Sequence, residues 1–249
     1  MWSTRAPTSS SVVSVLSPSS FNVSGAAFPF SDSSNVQTMH RAYLTGLSPS
    51  TTYTYAVGAS GGTFSPIFSF TTQPARPFAW QPTLAIFGDM GVSSNAQSTM
   101  PLLLADAASG AIDVVVHIGD AAYDLNSNNG HTGDLFMQQI EPLAAHVPYH
   151  ICPGNHESAT DFYQYRMRLG AAMPAAVGAP SGGGNGTFHS FNVGGLHVAL
   201  VSSEVYFSVQ PHSAGLAVEQ AAWLEADLKA VDRAATPFVA LGLHQPFCE

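Results

Sequence analysis

"IDVVVHIGDAAYDL", residues 112–125, sets a run of β-branched residues directly before a glycine, an aspartate and, three positions further on, a tyrosine. A short apolar run closed by glycine is the pattern of a strand buried on both faces. The aspartate behind it therefore stands at the edge of a sheet. The same pattern recurs in "TLAIFGD" (83–89), "YHICPGN" (149–155) and "PFVALGLH" (237–244), each expected as a buried strand. Between them, "NAQSTMPLLLADAA" (95–108) predicts a helix interrupted by its proline, and "DLFMQQIEPLAAHV" (134–147) and "ESATDFYQYRMRLG" (157–170) predict two more. "TFHSFNVGGLHVALVSSE" (187–204) reads as a hairpin, and "AVEQAAWLEADLKAVD" (217–232) repeats apolar residues at helical spacing. Apolar strands alternating with helices imply an α/β domain with a mostly parallel sheet covered on both faces.

Upstream the pattern changes. "HRAYLTGLSPSTTYTYAVGAS" (40–60) alternates apolar and polar residues around a Ser-Pro-Ser turn, and "TFSPIFSFTT" (63–72) follows in the same style. These are the short strands of a β-sandwich. "TTQPARP" (71–77) carries two prolines that disfavour both helix and central strand. The expected division is a sandwich over 1–75, a linker over 76–82 and an α/β domain over 83–249.

The chain has 249 residues, enough for a sizeable core. A formal charge of −9, with Lys229 the only lysine, argues against nucleic acid, whose binding needs clustered cations to displace counterions. It also repels small phosphate anions, so a site for them must bring its own positive charge. No stretch of about 18 apolar residues predicts a membrane span. The opening "MWSTRAPTSSS" has no apolar core of the signal-peptide kind. Asn22 and Asn185 head Asn-x-Ser/Thr triplets that suit a secreted glycoprotein. Cys152 and Cys248 are consistent either with a pair or with two buried thiols.

In an open α/β sheet a ligand sits beyond the carboxyl ends of the strands. Those ends carry Asp89 in "GDMG", Asp120 and Tyr123 in "GDAAY", Asn155 and His156 in "GNHE", and His244 in "LGLH". Each alone has an ordinary structural reading: Asp89 as a helix cap or Asx turn, Tyr123 as a half-buried phenol, Asn155 as a left-handed turn residue, His244 as a core histidine. Their coincidence at one edge is what those readings leave unexplained. Carboxylates and an amide oxygen favour hard cations, imidazole favours zinc or iron, and the mixture points to a transition-metal centre. One carboxylate shared by two ions about 3.5 to 4 Å apart is the arrangement that clamps both oxygens of a phosphoryl transfer.

"GDMG", "GDAAYD", "PGNHES" and the terminal "LGLH" resemble the ordered motifs of the metallophosphoesterases, and the tyrosine of "GDAAY" resembles the purple acid phosphatases among them. "HRAYLTGLSPSTTYTYAVG" and "FSFTTQP" look like that family's fibronectin-III-like leader domain. "DLFMQQIEPLAAHVPYHICPGNHE", "VSSEVYF" and "AAWLEADLKAVD" look like its animal-type branch. The resemblance implies a layered α/β metallophosphoesterase sandwich, sheets flanked by helices, behind that leader. It also implies a binuclear centre: Fe(III) on Asp89, Tyr123 and the bridging Asp120, and a divalent Zn, Fe or Mn on Asp120, Asn155 and His244. The implied reaction is acid hydrolysis of small phosphate monoesters by metal-bound hydroxide, with His156 protonating the leaving oxygen. The implied location is secreted, vacuolar or lysosomal. Glu157 in the same motif reads as no more than a cap for the next helix. Asp113, Asp124, His117, His131, His189 and His197 read as structural or solvated.

The pattern also departs from the family. Its final Gly-His-x-His is not found, and the first residues read as if they began inside the leader's second strand, so the chain is expected to be cut at both ends and weak in metal binding and activity by itself. The family's His-Arg-Pro is His244-Gln245-Pro246 here, expected to lose a phosphate contact. Two rival readings remain: a phosphodiesterase of the same superfamily, or a non-catalytic binding protein that works through its sandwich.

Overall fold

The computed structural model describes residues 1–8, 10–76, 79–92, 96–170, 183, 186–207 and 213–246. Seven short strands come first: β1 (Trp2–Thr4), β2 (Val12–Ser17), β3 (Phe21–Ser24), β4 (Ala26–Asp32), β5 (Asn35–Arg41), β6 (Thr52–Gly58) and β7 (Phe68–Thr71). They form two antiparallel sheets, ordered β1-β5-β4 and β3-β2-β6-β7. Alternation does the sorting: Val13, Val15 and Tyr53 point inward and pack with Trp2, Phe21, Val57 and Phe70, while the intervening residues face out. Pro29 lies in β4, an outer strand, where a missing N–H breaks no central ladder.

Beyond the linker, β8 (Leu84–Phe87), β9 (Val114–Ile118) and β10 (Tyr149–Cys152) form an all-parallel sheet ordered β10-β9-β8. The valine run of β9 now has its reason. Val115 points to a core shared with α1 (Ala96–Ser109), α2 (His131–Ala144) and α3 (Ala159–Arg168), which supply Met100, Phe136, Ile140, Phe162 and Tyr165. Val114 and Val116 point the other way, into a second core with Cys152, Val193, Val198 and Leu200. That second core belongs to another sheet, β11 (His189–Val193), β12 (Leu196–Leu200) and β13 (Phe238–Gly242), ordered β11-β12-β13. The first pair is the expected hairpin, turned at Gly194 with φ 56°, and β13 runs parallel to β12. After the one-turn α4 (Glu204–Phe207), α5 (Ser213–Ala230) covers the outer face: Asp227 accepts from Ser190 Oγ at 2.6 Å, and the Phe188 and Trp223 rings lie 5.0 Å apart. The layers run helix, sheet, sheet, helix.

Three expectations need correction. The apolar pattern by itself implied one mostly parallel sheet, whereas there are two face to face, as the resemblance implied, because the hairpin joins only β13 and not β9. Neither β8 nor β13 is buried: Ile86 is 62% exposed and Phe238 69%. Both are outermost strands among the described residues, flanked on one side only. Helix α1 includes Pro101 without a break. The fold otherwise follows the expected architecture. No helix among the described residues is long and apolar enough to cross a membrane. Asn22 is exposed on the outer strand β3, whereas Asn185 and Cys248 lie outside the described residues. Cys152 is buried, and burial pushes its thiol pKa up.

Candidate metal centre

The exits of β8 and β9 stay paired after the strands end. Asp89 N–H donates to Gly119 O at 3.1 Å, Met90 N–H to Asp120 O at 3.2 Å and Gly91 N–H to Ala121 O at 2.9 Å. To fan side chains out from so tight a ladder, the chain must leave the β region. Asp89, Asp120, Tyr123 and Asp124 all have left-handed backbones, with φ of 57°, 55°, 51° and 69°. Aspartate tolerates that region moderately and tyrosine poorly, so the backbone here stores strain at the residues that carry the chemistry. Two glycines make room. A Cβ on Gly119 would come within 2.8 Å of Gly154 and of the His244 Cβ, and one on Gly154 would collide with the Asp120 carboxylate.

All five expected ligands come together. The ligand atoms of Asp89, Asp120 and His244 lie within 4.8 Å of one another. Tyr123 donates its hydroxyl to Asp89 Oδ1 at 2.9 Å, and Asn155 Oδ1 is 3.0 Å from His244 Nε2. The ring of His244 is oriented from behind: Nδ1–H donates to Ile118 O at 2.9 Å. In the neutral imidazole this turns the Nε2 lone pair toward Asn155 Oδ1 and toward Asp120 Oδ1, 3.6 Å away. Acceptors facing acceptors are unfavourable until a cation lies among them. The donor set therefore fits a metal site: two carboxylates, a phenol, an amide oxygen and an imidazole. Burial, the hydrogen bond to Asp89 and the nearby carboxylates together push the phenol of Tyr123 up to about 12.

His156 stands beside this group. Its backbone N–H donates to Asp120 Oδ1 at 3.2 Å, its Nε2 lies 3.8 Å from Asp120 Oδ2, and its ring meets Tyr123 edge-on at 4.9 Å. Its Nδ1 bonds to Asp124 Oδ1 at 2.9 Å. Partial burial lowers its pKa, but the Asp124 bond and the charges of Asp120, Asp124 and Glu157 outweigh that, and the net shift is upward.

Two residues in this region do more than the sequence suggested. Asp124, expected to be structural or solvated, is the partner that orients His156. Glu157, expected only to cap a helix, is a buried carboxylate that accepts three backbone N–H groups. These come from Asp120 at 2.9 Å, Ala121 at 3.0 Å and Gly154 at 2.9 Å. It staples the loop of Asp120 to the loop of Asn155. Burial raises its pKa, and the three N–H groups oppose the shift. Gln245 differs as well: its side-chain amide donates to the buried Glu204 at 2.9 and 3.1 Å, so it is spent on a carboxylate of the protein. Its own N–H is held by Ser203 Oγ at 3.0 Å.

The remaining candidates are packed into the scaffold. His117 is buried against Tyr149 OH at 2.8 Å, His189 stacks on Phe191, and His197 bonds to Asn192 at 2.7 Å and Asp227 at 2.9 Å. Asp113 accepts Thr83 N–H at 2.8 Å, and His131 lies 3.3 Å from Asp134.

Comparison with known proteins adds what geometry alone does not. Residues 1–72 match the model of the purple acid phosphatase N-terminal domain, and residues 82–247 match that of the calcineurin-like phosphoesterases. The chain is 41% identical over 215 residues to acid phosphatase type 7 of Danio rerio, covering 85% of this chain and 46% of that protein. It is 36% identical to acid phosphatase type 7 of Homo sapiens, covering 98% and 55%. Purple acid phosphatase 15 of Arabidopsis thaliana is more distant at 27%, covering 84% and 42%. The chain thus spans about half the length of the curated relatives it matches. Among solved structures, a purple acid phosphatase from yellow lupin seeds superposes with a TM-score of 0.69 over 93% of this chain and 45% of its own, at 20% identity, a likeness of fold.

Proposed function

The chain belongs to the calcineurin-like phosphoesterases, in their purple acid phosphatase branch, and on that premise we propose that the full-length protein hydrolyses small phosphate monoesters in an acidic compartment. One observation carries the proposal: Asp89, Asp120 with Tyr123, Asn155 and His244, delivered by four separate strand ends, converge on one point. Asp89, Tyr123 and Asp120 would hold Fe(III). Asp120, Asn155 and His244 would hold a divalent Zn, Fe or Mn. When bound, the two ions supply the positive charge that neutralises the phosphate oxygens and the acidity that makes water a nucleophile.

The protein's own groups do the rest. Asp120, whose carboxylate lies near both Asp89 and His244, would be the ligand the two ions share. His156 has its Nδ1 tied to Asp124, which leaves Nε2 as the atom that delivers a proton to the departing alkoxide. Its upward-shifted pKa keeps that proton available over a wider acidic range. Glu157 fixes the two loops so that these atoms stay in register. Exposure of Asn22 and the scarcity of lysine fit a secreted protein, or one delivered to a vacuole or lysosome.

Metal analysis and the visible spectrum of the full-length protein test this reading. Iron with a tyrosinate absorption band that disappears in Tyr123→Phe is expected, together with faster turnover of mono- than diester substrates. A spectrum unchanged by the substitution would remove Tyr123 from the site, and faster diester cleavage would make the protein a phosphodiesterase.

A further inference from the structure

On the far side of α2 and α3 from the metal site's sheet lies a buried polar cluster that none of the chemistry above uses. Asp134 in the first turn of α2 pairs with Arg168 at the end of α3, Nη1 to Oδ1 at 2.7 Å, both almost wholly buried. A buried ion pair is costly to form and is tolerated when its remaining lone pairs and protons are all met. Here the carboxylate's side-chain hydrogen-bond donors other than Arg168 come from the N-terminal sandwich. Asn35 Nδ2 donates to Asp134 Oδ2 at 3.0 Å and Gln37 Nε2 donates to Asp134 Oδ1 at 2.6 Å. Gln37 also donates to Asn35 Oδ1 at 2.9 Å, locking the two amides together.

The cluster continues on the α3 side. Arg168 Nε donates to Gln164 Oε1 at 2.7 Å, Gln164 in turn donates to Asp32, and Phe30 lies under the guanidinium at 4.4 Å. Tyr163 adds a two-way bond to the backbone of Ser31, accepting at 3.2 Å and donating at 3.0 Å. All of these N-terminal residues belong to the β4–β5 hairpin.

What the cluster holds links it to the site. Arg168 Nη2 donates to Gly130 O at 2.9 Å, and a Cβ on Gly130 would come within 3.0 Å of Gln164 and 3.2 Å of Asp32. Gly130 closes the turn that starts at Asp124, where Ser127 N–H donates to Asp124 O at 2.8 Å and Gly133 N–H to Leu125 O at 3.1 Å. The Asn155–Ser158 turn that carries His156 joins the anchored part of α3 through a kink at Thr160, Asp161 and Phe162, whose backbones are left-handed. Asp124 and His156 thus sit on two loops, and both loops are anchored at their far ends in the same cluster.

We infer that the β4–β5 hairpin is a positioning element of the catalytic site: through Asp32, Asn35 and Gln37 it holds Gly130, Asp134, Gln164 and Arg168, and so sets Asp124 against His156. The kinetic consequence rests on the phosphatase reading; the mechanical one does not. Displacement of a catalytic group by about 1 Å can cost on the order of a hundredfold in rate, so a loosened anchor is expected to show in kcat.

The test uses the full-length protein with Asn35→Leu combined with Gln37→Met, which keep shape and remove the donors. Gln37→Met alone is the milder variant and carries the same test if the double variant does not fold. Amide hydrogen exchange is expected to quicken about tenfold in residues 124–133 and 155–168 while β9 and β10 keep their protection. The monoester kcat is expected to fall about tenfold with KM within about twofold. In an Asp124→Ala background the same substitutions are expected to cost no further activity, since the contact they position is already removed. Unchanged exchange in either segment, or exchange quickened evenly through β9 and β10, overturns the inference whatever the kinetics. Losses that multiply with Asp124→Ala overturn it equally. A wild-type protein without monoesterase activity would refute the proposed function and leave the exchange result to decide this one.

Discussion

The loops that leave β8, β9 and β10 and the loop that leaves β13 bring side chains to the same place by different means. The first three are held through their main-chain groups: the exits of β8 and β9 go on pairing past the strand ends, and one buried carboxylate, Glu157, gathers N–H groups from the exits of β9 and β10. His244 arrives from an outer strand of the other sheet and is held by side chains and one carbonyl: Ile118 O behind its ring, then Ser203 and Glu204 on the neighbouring Gln245. Backbone pairing fixes many atoms at once, whereas each side-chain contact fixes one. The difference predicts a rigid three-strand half of the centre and a softer fourth corner.

Acid probes both sheets together and gives the largest expected effect. Burial holds His117 in β9 and His189 in β11 at about 4, below the 6.5 of an unfolded histidine. With the folded pKa depressed, the unfolded chain binds more protons between those values. The stability is therefore complete above pH about 6.5 and is lost as pH falls toward about 4. Each histidine accounts for up to ~3 kcal/mol. Glu157 and Glu204, whose burial raises their pKa values, offset part of this by protonating more readily in the fold. Melting temperature is expected to drop steadily from pH 6.5 to 4.5, and comparing His117→Phe with His189→Phe shows which sheet yields first. A flat melting profile in both variants and wild type would break the expectation.

Glu157→Gln probes the rigid half. Whichever way the amide sits, its NH2 faces at least one of the three N–H groups. About 2 kcal/mol of stability and a 10- to 100-fold loss in metal affinity are expected, read by thermal melting and metal titration of the full-length protein. Retained affinity would show that the staple does not set the ligand geometry. Gln245→Ala probes the soft corner, where the forked bond from one amide to both Glu204 oxygens is lost and the ring of His244 keeps its carbonyl. About 1 kcal/mol and a severalfold loss of affinity are expected by the same measurements. An effect equal to that of Glu157→Gln would erase the distinction between the two halves.

Most of the candidate site was legible because glycine followed, directly or after one residue, by an acid, amide or histidine at a strand end is a local pattern, and four of them lined up. Its support was not. Glu157 binds N–H groups of the main chain, so no partner residue type marks the contact, and two of the three donors lie far away in sequence. Asp124 meets His156 only because the backbone between Tyr123 and Gly130 turns left-handed, a choice tyrosine and aspartate do not announce. A continuous apolar run says that a strand is present but not how many of its faces are covered, hence the error at Ile86 and Phe238. Asn35, Gln37 and Arg168 look like surface residues until the hairpin folds them inward.

Asp89, Asp120 and Tyr123 occupy conformations that glycine would adopt without penalty. Selection for heat tolerance alone can therefore retain Asp120→Gly or Tyr123→Gly while erasing the side chains proposed to hold the metals. Any effort to engineer a hardier form has to screen for turnover in the same round, since thermal survival at these positions reports improvement and ruin alike.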